Sequence, residues 1–300
     1  MTLPKVSIVT ITYNHENYIL DALKSFLDQK YEGLIEVIIA NDNSPDNTDV
    51  VINNFLSQTT VPNNFEIKYT NHTINKGMMG NFLWALQQAS GKYIALCEGD
   101  DYWTDPLKLQ KQVDFLEKNT DFGLVFTNCE QHFYRNGELV KKRIGIHQNI
   151  IDREFSRIEI FETWLIPTAS TVFKNKFDKE KLNTYLRNPK IIYGDTLTFI
   201  VASENTKIYG MSEVMSVYRK HENGVSNYIT DEQIIINHIN QMIKFFGSNF
   251  NSKKIKSLKA IYYFKKFNRI KKEKPLIAFY CLFSSLFLDK NQIKKYFQNK

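Results

Sequence analysis

Three carboxylate side chains fall within four residues of this chain. Glu98, Asp100 and Asp101 directly follow the apolar run 93–96, which predicts a buried strand. Because neighbouring carboxylates repel each other and unpaired buried charges are costly, such a cluster usually needs a cation. Oxygen ligands suit Mg²⁺ or Mn²⁺, so we predict a metal site where the strand leaves the core. The alternative is an acidic turn before a helix that begins near Asp105-Pro106.

The composition is typical of a globular protein rather than a disordered or fibrous one. The chain has 300 residues, of which 43% are hydrophobic and 24% charged, as in ordinary soluble domains. Cys97, Cys129 and Cys281 are far apart and form neither a disulfide framework nor a zinc-binding spacing. No secretory signal precedes the first strand-like run, and the longest apolar stretch, 276–288, is too short to span a bilayer. We therefore expect a cytoplasmic protein.

The net charge of +7 is unevenly distributed. Residues 251–300 hold 14 Lys and Arg and two acidic residues, a net of +12, which leaves −5 for residues 1–250. Basic residues interleaved with aromatic ones favour contact with an anionic membrane surface, here the inner face of the cell membrane. A solvated helical face is the open alternative. No nucleic-acid motif accompanies the charge, so we expect no nucleic-acid partner.

Strand and helix patterns alternate through the first third of the chain. Hydrophobic periodicity predicts strands at 6–14, 36–40, 65–69 and 93–97, and helices at 18–29, 49–56 and 80–90. This alternation predicts an α/β fold with a mostly parallel, doubly wound sheet. Ligands of such sheets bind beyond the carboxyl ends of the strands. The loops 12–16, 41–48 and 98–104 leave those ends.

The rest of the chain predicts a second half and an extension. We expect a hairpin of 122–134 and 138–146 around Asn136-Gly137, helices at 108–117, 158–164 and 195–202, and strands at 169–173, 207–209 and 214–218. From residue 231 the pattern is mainly helical, after a linker at 222–228. The predicted domains are 1–228, with a nucleotide-binding half at 1–105 and an acceptor half at 106–228, and a basic, aromatic-rich helical extension at 229–300.

Several motifs in fixed order resemble glycosyltransferase family 2. They are VSIVTITYNHENYI, VIIANDNSPDNT, NKGMMGNFLWAL followed by GKYIALCEGDDYWTDP, and VMSVYRKHENGVS, and together they cover roughly residues 4–228. The resemblance implies a GT-A fold and an inverting, metal-dependent transfer of a sugar from a nucleotide-diphosphate donor, foremost a UDP-sugar. The implied acceptor is a glycan or a lipid-linked glycan of cell-surface polysaccharide synthesis. Asn41 and Glu98 depart from the family pattern, because many members have Asp at both positions.

The resemblance also implies a nucleotide site. In the family, the residue at the position of Asp42 binds the nucleotide base. An ionised Asp accepts a hydrogen bond from a ring N–H such as that of uracil. Three alternatives stay open. Asp42 would instead cap the following helix, Tyr13 would pack in the core, and Lys76 would be a solvated surface residue. The implied nucleotide-binding residues are Thr12, Tyr13, Asp42, Lys76, Asn81, Asp100 and Arg219.

The metal, the base and the acceptor complete the implied site. Glu98, Asp100, Asp101 and His221 are the expected metal ligands. Asp195, just before a predicted helix, matches the family's catalytic base, with helix capping as the alternative. The expected acceptor contacts are Trp103, Thr168 and Ser170, although core packing of Trp103 is equally compatible with the sequence.

Other classes of protein fit the sequence less well. A nucleotidyltransferase would need a glycine-rich basic loop after the first strand, and residues 13–17 contain no glycine and no lysine or arginine. A dinucleotide oxidoreductase is disfavoured because no G-x-G-x-x-G follows that strand. The remaining alternative is a catalytically inactive sugar-nucleotide-binding or membrane-associated scaffold, against which Asp100, Asp101 and Asp195 argue.

Overall fold

The structure is a computed structural model that describes residues 3–146, 150–222, 224, 231–247, 250 and 252–291. Its strands are β1 Val6–Thr12, β2 Ile35–Asn41, β3 Phe65–Asn71, β4 Tyr93–Leu96, β5 Tyr102–Trp103, β6 Phe122–Arg135, β7 Glu138–Ile144, β8 Arg153–Phe155, β9 Val172–Lys174 and β10 Lys207–Lys220. Its α-helices are α1 Ile19–Leu27, α2 Thr48–Gln58, α3 Met78–Gln88, α4 Lys108–Lys118, α5 Arg157–Thr163, α6 Lys179–Leu186, α7 Gly194–Ala202, α8 Glu232–Phe246, α9 Lys253–Ile270 and α10 Pro275–Leu288, and Thr168–Ser170 forms a 3-10 helix.

The strands form one sheet in the order β3-β2-β1-β4-β9-β6-β10-β5. The first four strands of this order, β3, β2, β1 and β4, are parallel to one another. Beyond them the sheet is mixed, because β9 is antiparallel to both β4 and β6 while β10 is parallel to β6. All seven residues of β2 are buried, as expected for a parallel strand covered on both faces. The α/β fold predicted from the sequence is confirmed.

The register of the parallel strands determines where the functional loops lie. β1 pairs with β2 from Val6 opposite Ile35 to Thr12 opposite Asn41, and with β4 from Val6 opposite Tyr93. Because all three strands run in the same direction, their carboxyl ends lie at one edge of the sheet. The loops after β1, β2 and β4 therefore leave from that edge, as the sequence predicts.

The second half differs from the prediction in its details. The two strands predicted at 207–209 and 214–218 form one strand, β10, whose pairing with β6 shifts register between Met211 and Val214. These irregularities interrupt the alternation on which sequence-based prediction depends. The strand predicted at 169–173 begins only at Val172. β5, β8 and α6 were not predicted; the first two are too short for a periodic pattern and are defined by pairing with β10.

The chain divides into two compact units. The first contains Met1–Thr184 and Thr198–Glu222, and the second contains Tyr185–Leu197 and Asn223–Lys300. Most of the linker predicted at 222–228 lies outside the described residues, and the domain boundary at 228 stays a prediction. Among the described helices, none combines the length and apolarity needed to cross a membrane.

Candidate active site

Backbone N–H groups of the loop after β1 bind side chains of the loop after β2. Both loops contain an asparagine in the left-handed region, Asn14 at φ 62° and Asn43 at φ 58°, a conformation that Asn tolerates better than most residues. The hydrogen bonds run from Asn14 N to Ser44 Oγ at 3.0 Å, from His15 N to Thr48 Oγ1 at 2.9 Å and from Glu16 N to Asp46 Oδ2 at 2.9 Å. The two loops are thus held together as one rim of the sheet edge.

Asp42 lies at this rim, directly after β2. Its main-chain N–H donates to Thr12 O at 3.0 Å, and its side chain is buried. Asp42 Oδ1 accepts from the main-chain N–H of Lys76 at 2.7 Å, and Asn75 Nδ2 donates to Asp42 O at 3.0 Å. The loop before α3 therefore orients the carboxylate, while the Lys76 side chain is exposed.

The other predicted nucleotide-binding residues near this rim differ in accessibility. Tyr13 is 47% exposed, whereas Thr12 is buried. Thr12 packs against the acidic loop so closely that a Cβ at Gly99 would lie 2.8 Å from Thr12 Oγ1, so only glycine fits at position 99. Asn81 is also buried, and its amide is used within the protein: Nδ2 donates to Ala40 O at 2.8 Å. It therefore anchors α3 to β2.

The acidic loop after β4 gathers the three predicted carboxylates. Glu98, Asp100 and Asp101 each offer an oxygen, and these oxygens all lie within 4.8 Å of one another. Asp101 is only 1% exposed. Its Oδ1 accepts from Arg219 N at 2.8 Å, and its Oδ2 is buried with no hydrogen-bond partner among the residues described. A divalent cation would satisfy such an oxygen, so the donor set fits Mg²⁺ or Mn²⁺.

The electrostatics of the acidic loop separate its two aspartates. Burial, and then the charges of Asp100 and Glu98, raise the pKa of Asp101 well above its usual range. Burial also acts to raise the pKa of Asp100, but His15 and His221 outweigh it and lower that pKa. Asp100 Oδ2 lies 3.1 Å from His221 Nε2 and 3.7 Å from His15 Nε2. The Asp101 carboxyl group thus binds a proton more tightly than a free Asp does, and the Asp100 carboxyl group binds one less tightly.

Arg219 supports the acidic loop from β10. Its guanidinium is buried 4.4 Å from the ring centroid of Tyr102, donates from Nη1 to Asp100 O at 3.0 Å and forms an ion pair with Asp21. β5 brings the acidic loop next to β10, because Val217 of β10 pairs with Tyr102 of β5. The structure therefore joins the motif around Arg219 and His221 to the acidic cluster. The predicted phosphate contact of Arg219 stays a prediction.

Two of the three predicted acceptor residues are buried. Trp103 is 4% exposed, donates from Nε1 to Ala169 O at 2.7 Å and packs against Phe26 at 5.0 Å between ring centroids. Ser170 is buried and donates to Pro167 O at 2.7 Å. Core packing thus describes Trp103, and Thr168 alone of the three is partly exposed. The acceptor contacts stay a prediction.

Asp195 belongs to the second unit, where it lies in the first turn of α7. Its Oδ1 accepts from Thr196 N at 2.7 Å. The segment before it is held by α8, because the main-chain N–H of Ile192 donates to Nδ1 of buried His238 at 3.4 Å, and the Tyr193 ring packs edge-on against the same imidazole at 5.2 Å. Its predicted role as base is not tested by this geometry.

Sequence reasoning missed three residues around the acidic cluster: His15, Tyr18 and Asp21. His15 stands in a loop that was predicted to be functional, so its position at a strand end was an available signal. Tyr18 packs on His221 at 4.4 Å between ring centroids. Asp21 pairs with Arg219 across 198 residues of sequence, and no local pattern indicates that contact.

Several solved structures resemble this chain over nearly its full length. Staphylococcus aureus TarS (residues 1–349) in complex with UDP-GlcNAc aligns with a TM-score of 0.59 and 17% identity, over 99% of this chain and 92% of that one. The mannosyltransferase PcManGT from Pyrobaculum calidifontis, in complex with GDP-Man and Mn²⁺, aligns with a TM-score of 0.61 and 15% identity, over 97% and 82%. At these identities the likeness shows the fold, which is the GT-A fold predicted from the sequence.

Sequence relatives are found among bacterial proteins. An uncharacterized protein of Mycobacterium tuberculosis is 32% identical over 222 residues, 73% of this chain and 60% of that protein. The GalNAc(5)-diNAcBac-PP-undecaprenol beta-1,3-glucosyltransferase of Campylobacter jejuni is 28% identical over 218 residues, 72% of this chain and 65% of that protein. The matches thus span less than two thirds of either relative. The family model described as Glycosyl transferase family 2 matches residues 7–181, and the chain therefore belongs to glycosyltransferase family 2.

Proposed function

We propose that this protein is a metal-dependent, inverting glycosyltransferase that uses a UDP-sugar to extend a glycan or lipid-linked acceptor in cell-surface polysaccharide synthesis. The observation that carries the proposal is the acidic cluster of Glu98, Asp100 and Asp101. One oxygen of this cluster, Asp101 Oδ2, is buried and has no hydrogen-bond partner among the described residues. The cluster follows β4, at the sheet edge where Asp42 follows β2. A buried, oriented carboxylate and a cation site at one edge suit a nucleotide diphosphate.

The chemistry of Asp42 favours a base that carries a ring N–H donor and disfavours cytosine. An ionised carboxylate only accepts hydrogen bonds, and one of its oxygens already accepts from Lys76 N. Uracil offers a ring N3–H donor, whereas cytosine has an acceptor at that position. Tyr13, which is 47% exposed at the end of β1, offers a stacking face to the base. The complex of TarS with UDP-GlcNAc supports uridine as the first nucleoside to test.

Glu98, Asp100, Asp101 and His221 are the residues that would hold Mn²⁺ or Mg²⁺. Bound there, the ion would supply Lewis-acid stabilisation of the charge that develops on the leaving diphosphate. The protein contributes the arrangement: Arg219 fixes one oxygen of Asp101, and His15 and His221 keep Asp100 ionised. Lys76 is an exposed cation beside Asp42 and the proposed phosphate partner. The Mn²⁺ in the PcManGT complex supports a divalent cation.

Asp195 is the proposed general base. Its carboxylate would take the proton of the acceptor hydroxyl while that oxygen bonds to the anomeric carbon and the bond from this carbon to the diphosphate oxygen breaks. Attack from the face opposite the leaving group inverts the anomeric configuration. A position in the first turn of α7 stabilises the ionised form that a base requires.

The proposed acceptor is a lipid-linked glycan. Thr168 is the partly exposed member of the predicted acceptor residues. The name of the Campylobacter jejuni relative includes an undecaprenol-linked glycan, which supports a lipid-linked acceptor. Such an acceptor requires the enzyme to work at a bilayer surface, and the basic C-terminal region would suit an anionic one.

Calorimetric titration of UDP, GDP, CDP and dTDP, each with and without Mn²⁺, tests the donor site. We expect Mn²⁺-dependent binding of UDP, no binding of CDP, and loss of the Mn²⁺ dependence in Asp101→Asn. Glu180→Gln, an exposed acidic residue of α6, is the matched control and should bind like the wild type. A folded protein that binds none of the four nucleotides would contradict the proposal and favour the scaffold alternative.

Asp195→Asn separates chemistry from donor binding. We expect turnover of the identified UDP-sugar to fall about 10²- to 10⁴-fold, the usual contribution of a general base, with unchanged UDP affinity. Glu273→Gln, exposed in the turn before α10, should retain full turnover. An equal loss of UDP affinity and of turnover in Asp195→Asn would show that Asp195 is not the general base.

A further inference from the structure

Helix α10 exposes an unusual amount of apolar surface. Its 14 residues, PLIAFYCLFSSLFL, include no charged side chain. Seven large apolar side chains of this helix are exposed, from 38% for Leu286 to 87% for Leu276. They are Leu276, Ile277, Phe279, Tyr280, Phe283, Leu286 and Phe287. Single exposed apolar residues are ordinary, but a contiguous group of this size marks an interaction surface.

The opposite side of α10 is built from small residues. Ala278, Cys281 and Ser285 are the buried residues of this helix, and their spacing of three and four places them on one face. Ala278 and Cys281 pack in a cluster with Ile270 of α9, and Ser285 Oγ donates to Ala260 O at 2.8 Å. A helix of a water-soluble domain normally turns its large apolar residues inward. Here the small residues face α9 and the large ones face outward.

Basic side chains precede this apolar face along the chain. Residues 252–291 contain eleven Lys and Arg and two acidic residues. Lys271, Lys272 and Lys274 are exposed in the turn that leads directly into α10. An apolar face bordered by cations is complementary to a bilayer that carries anionic headgroups, where lysine amines meet phosphates and aromatic rings reach the acyl boundary.

We propose that the exposed face of α10 inserts into the interface of an anionic membrane and holds the protein at the bilayer surface. A 14-residue helix is about 21 Å long, shorter than the hydrocarbon core of about 30 Å, so it would lie in the plane of the interface. A second copy of the chain is the other occupant such a face could take. It is disfavoured because two-fold pairing of α10 would bring two strongly basic regions together.

Vesicle sedimentation of the full chain tests this proposal. We expect binding to phosphatidylcholine vesicles that contain phosphatidylglycerol at low salt, and much weaker binding at high salt or to phosphatidylcholine alone. Replacing Phe279, Phe283 and Phe287 by Ser should weaken binding on the order of tenfold per residue. Replacing Lys271, Lys272 and Lys274 by Gln should weaken it about fivefold per residue, on anionic vesicles only.

The controls use exposed apolar residues elsewhere on the protein. Leu34→Ser and Val50→Ser remove side chains that are 58% and 53% exposed, and they should not change vesicle binding. All variants alter exposed positions, and circular dichroism with UDP titration checks that each one is folded. Because UDP binding is measured on the same samples, failure of the membrane proposal is distinguishable from failure of the donor site.

Two results would overturn the membrane proposal. One is evidence that the exposed face of α10 does not bind anionic vesicles at low salt, seen either as no binding of the wild type or as binding that the three Phe→Ser changes leave intact. The other is a dimer in sedimentation velocity that those three changes dissociate, in a protein that does not bind vesicles. The second result would assign the exposed face of α10 to a second copy of the chain.

Discussion

The main-chain N–H of Arg219 donates to Asp101 Oδ1 at 2.8 Å, across 118 residues of sequence. This bond fixes one oxygen of a buried carboxylate, and in the part of the chain that the structure describes the other oxygen, Oδ2, has no hydrogen-bond partner. A buried carboxylate with one unsatisfied oxygen beside two further acids is unfavourable without a cation. The arrangement therefore destabilises the metal-free fold, and it supports the cation site that we propose for this cluster.

Asp101→Asn should stabilise the metal-free protein. The folded state raises the pKa of Asp101 through burial and the charges of Asp100 and Glu98, so the ionised group opposes folding, and its removal should raise the free energy of unfolding. Asn retains an oxygen to accept from Arg219. Asp100→Asn should act in the opposite direction, because the pKa of Asp100 is lowered in the fold. Thermal unfolding in EDTA measures the stability of both variants. A change in stability of the same sign for both, relative to the wild type, would contradict this explanation.

The affinity for Mn²⁺ should increase with pH. Burial, then Asp100 and Glu98, raise the pKa of Asp101 above its ordinary 3.8, and a cation must displace the proton that this group retains. By linkage, the stability contributed by protonated Asp101 is present at low pH and is lost as pH rises through the raised pKa. Titration calorimetry of Mn²⁺ in buffers of different ionisation enthalpy should detect proton release. Glu98→Gln should reduce this proton release, because it removes one of the charges that raise the pKa of Asp101.

Glu36 should stabilise the fold down to acidic pH. Its side chain is fully buried and accepts from Ser7 Oγ at 2.5 Å, Lys68 Nζ at 2.6 Å and Ser90 N at 2.9 Å. Burial acts to raise its pKa, but these bonds outweigh burial and lower it from 4.5 to about 2.

The stability contributed by Glu36 is present above the unfolded pKa and lost as pH falls from 4.5 towards about 2. Glu36→Gln should therefore cost roughly 2–4 kcal/mol at neutral pH, and much less at pH near 2. Urea unfolding at several pH values measures the difference. Glu66→Gln, which changes the more exposed partner of the same lysines, is the control and should change the free energy of unfolding much less, because solvent screens an exposed ion pair. A pH-independent cost for Glu36→Gln would exclude the electrostatic explanation.

His238 should position the segment that carries Asp195. Its Nδ1 accepts from the main-chain N–H of Ile192, and burial lowers its pKa to about 3. His238→Leu would leave that N–H unsatisfied, at a cost of about 1–3 kcal/mol, and should lower kcat without changing UDP affinity.

The conservative variant His238→Asn, which keeps an acceptor, should recover part of the kcat. The neutral imidazole also makes wild-type stability fall as pH drops below the ordinary value of 6.5, and His238→Leu should lose that part of the pH dependence. Unfolding curves at pH values on both sides of 6.5 measure this effect. An unchanged kcat in His238→Leu would show that His238 has no positioning role.

Much of the fold follows from local sequence. The strands β1 to β4 and the helices between them begin and end within two residues of the predicted ranges, because apolar periodicity and turn residues are local properties. The hairpin of β6 and β7 forms at Asn136-Gly137, where both residues have positive φ, as a tight turn requires. The short strands β5 and β8 could not be predicted, because they exist only through pairing with β10.

The acidic cluster and the edge of the sheet on which it lies were determined by the sequence itself. Only the tertiary structure decided which aspartate has the raised pKa, that His15 and Asp21 lie beside the acidic cluster, that Trp103 is buried, and that α10 turns its large side chains outward. Residue types and periodicity record which groups are present. Burial, pKa and partners depend on groups that approach from distant parts of the chain, and a single sequence does not encode those approaches in any local pattern.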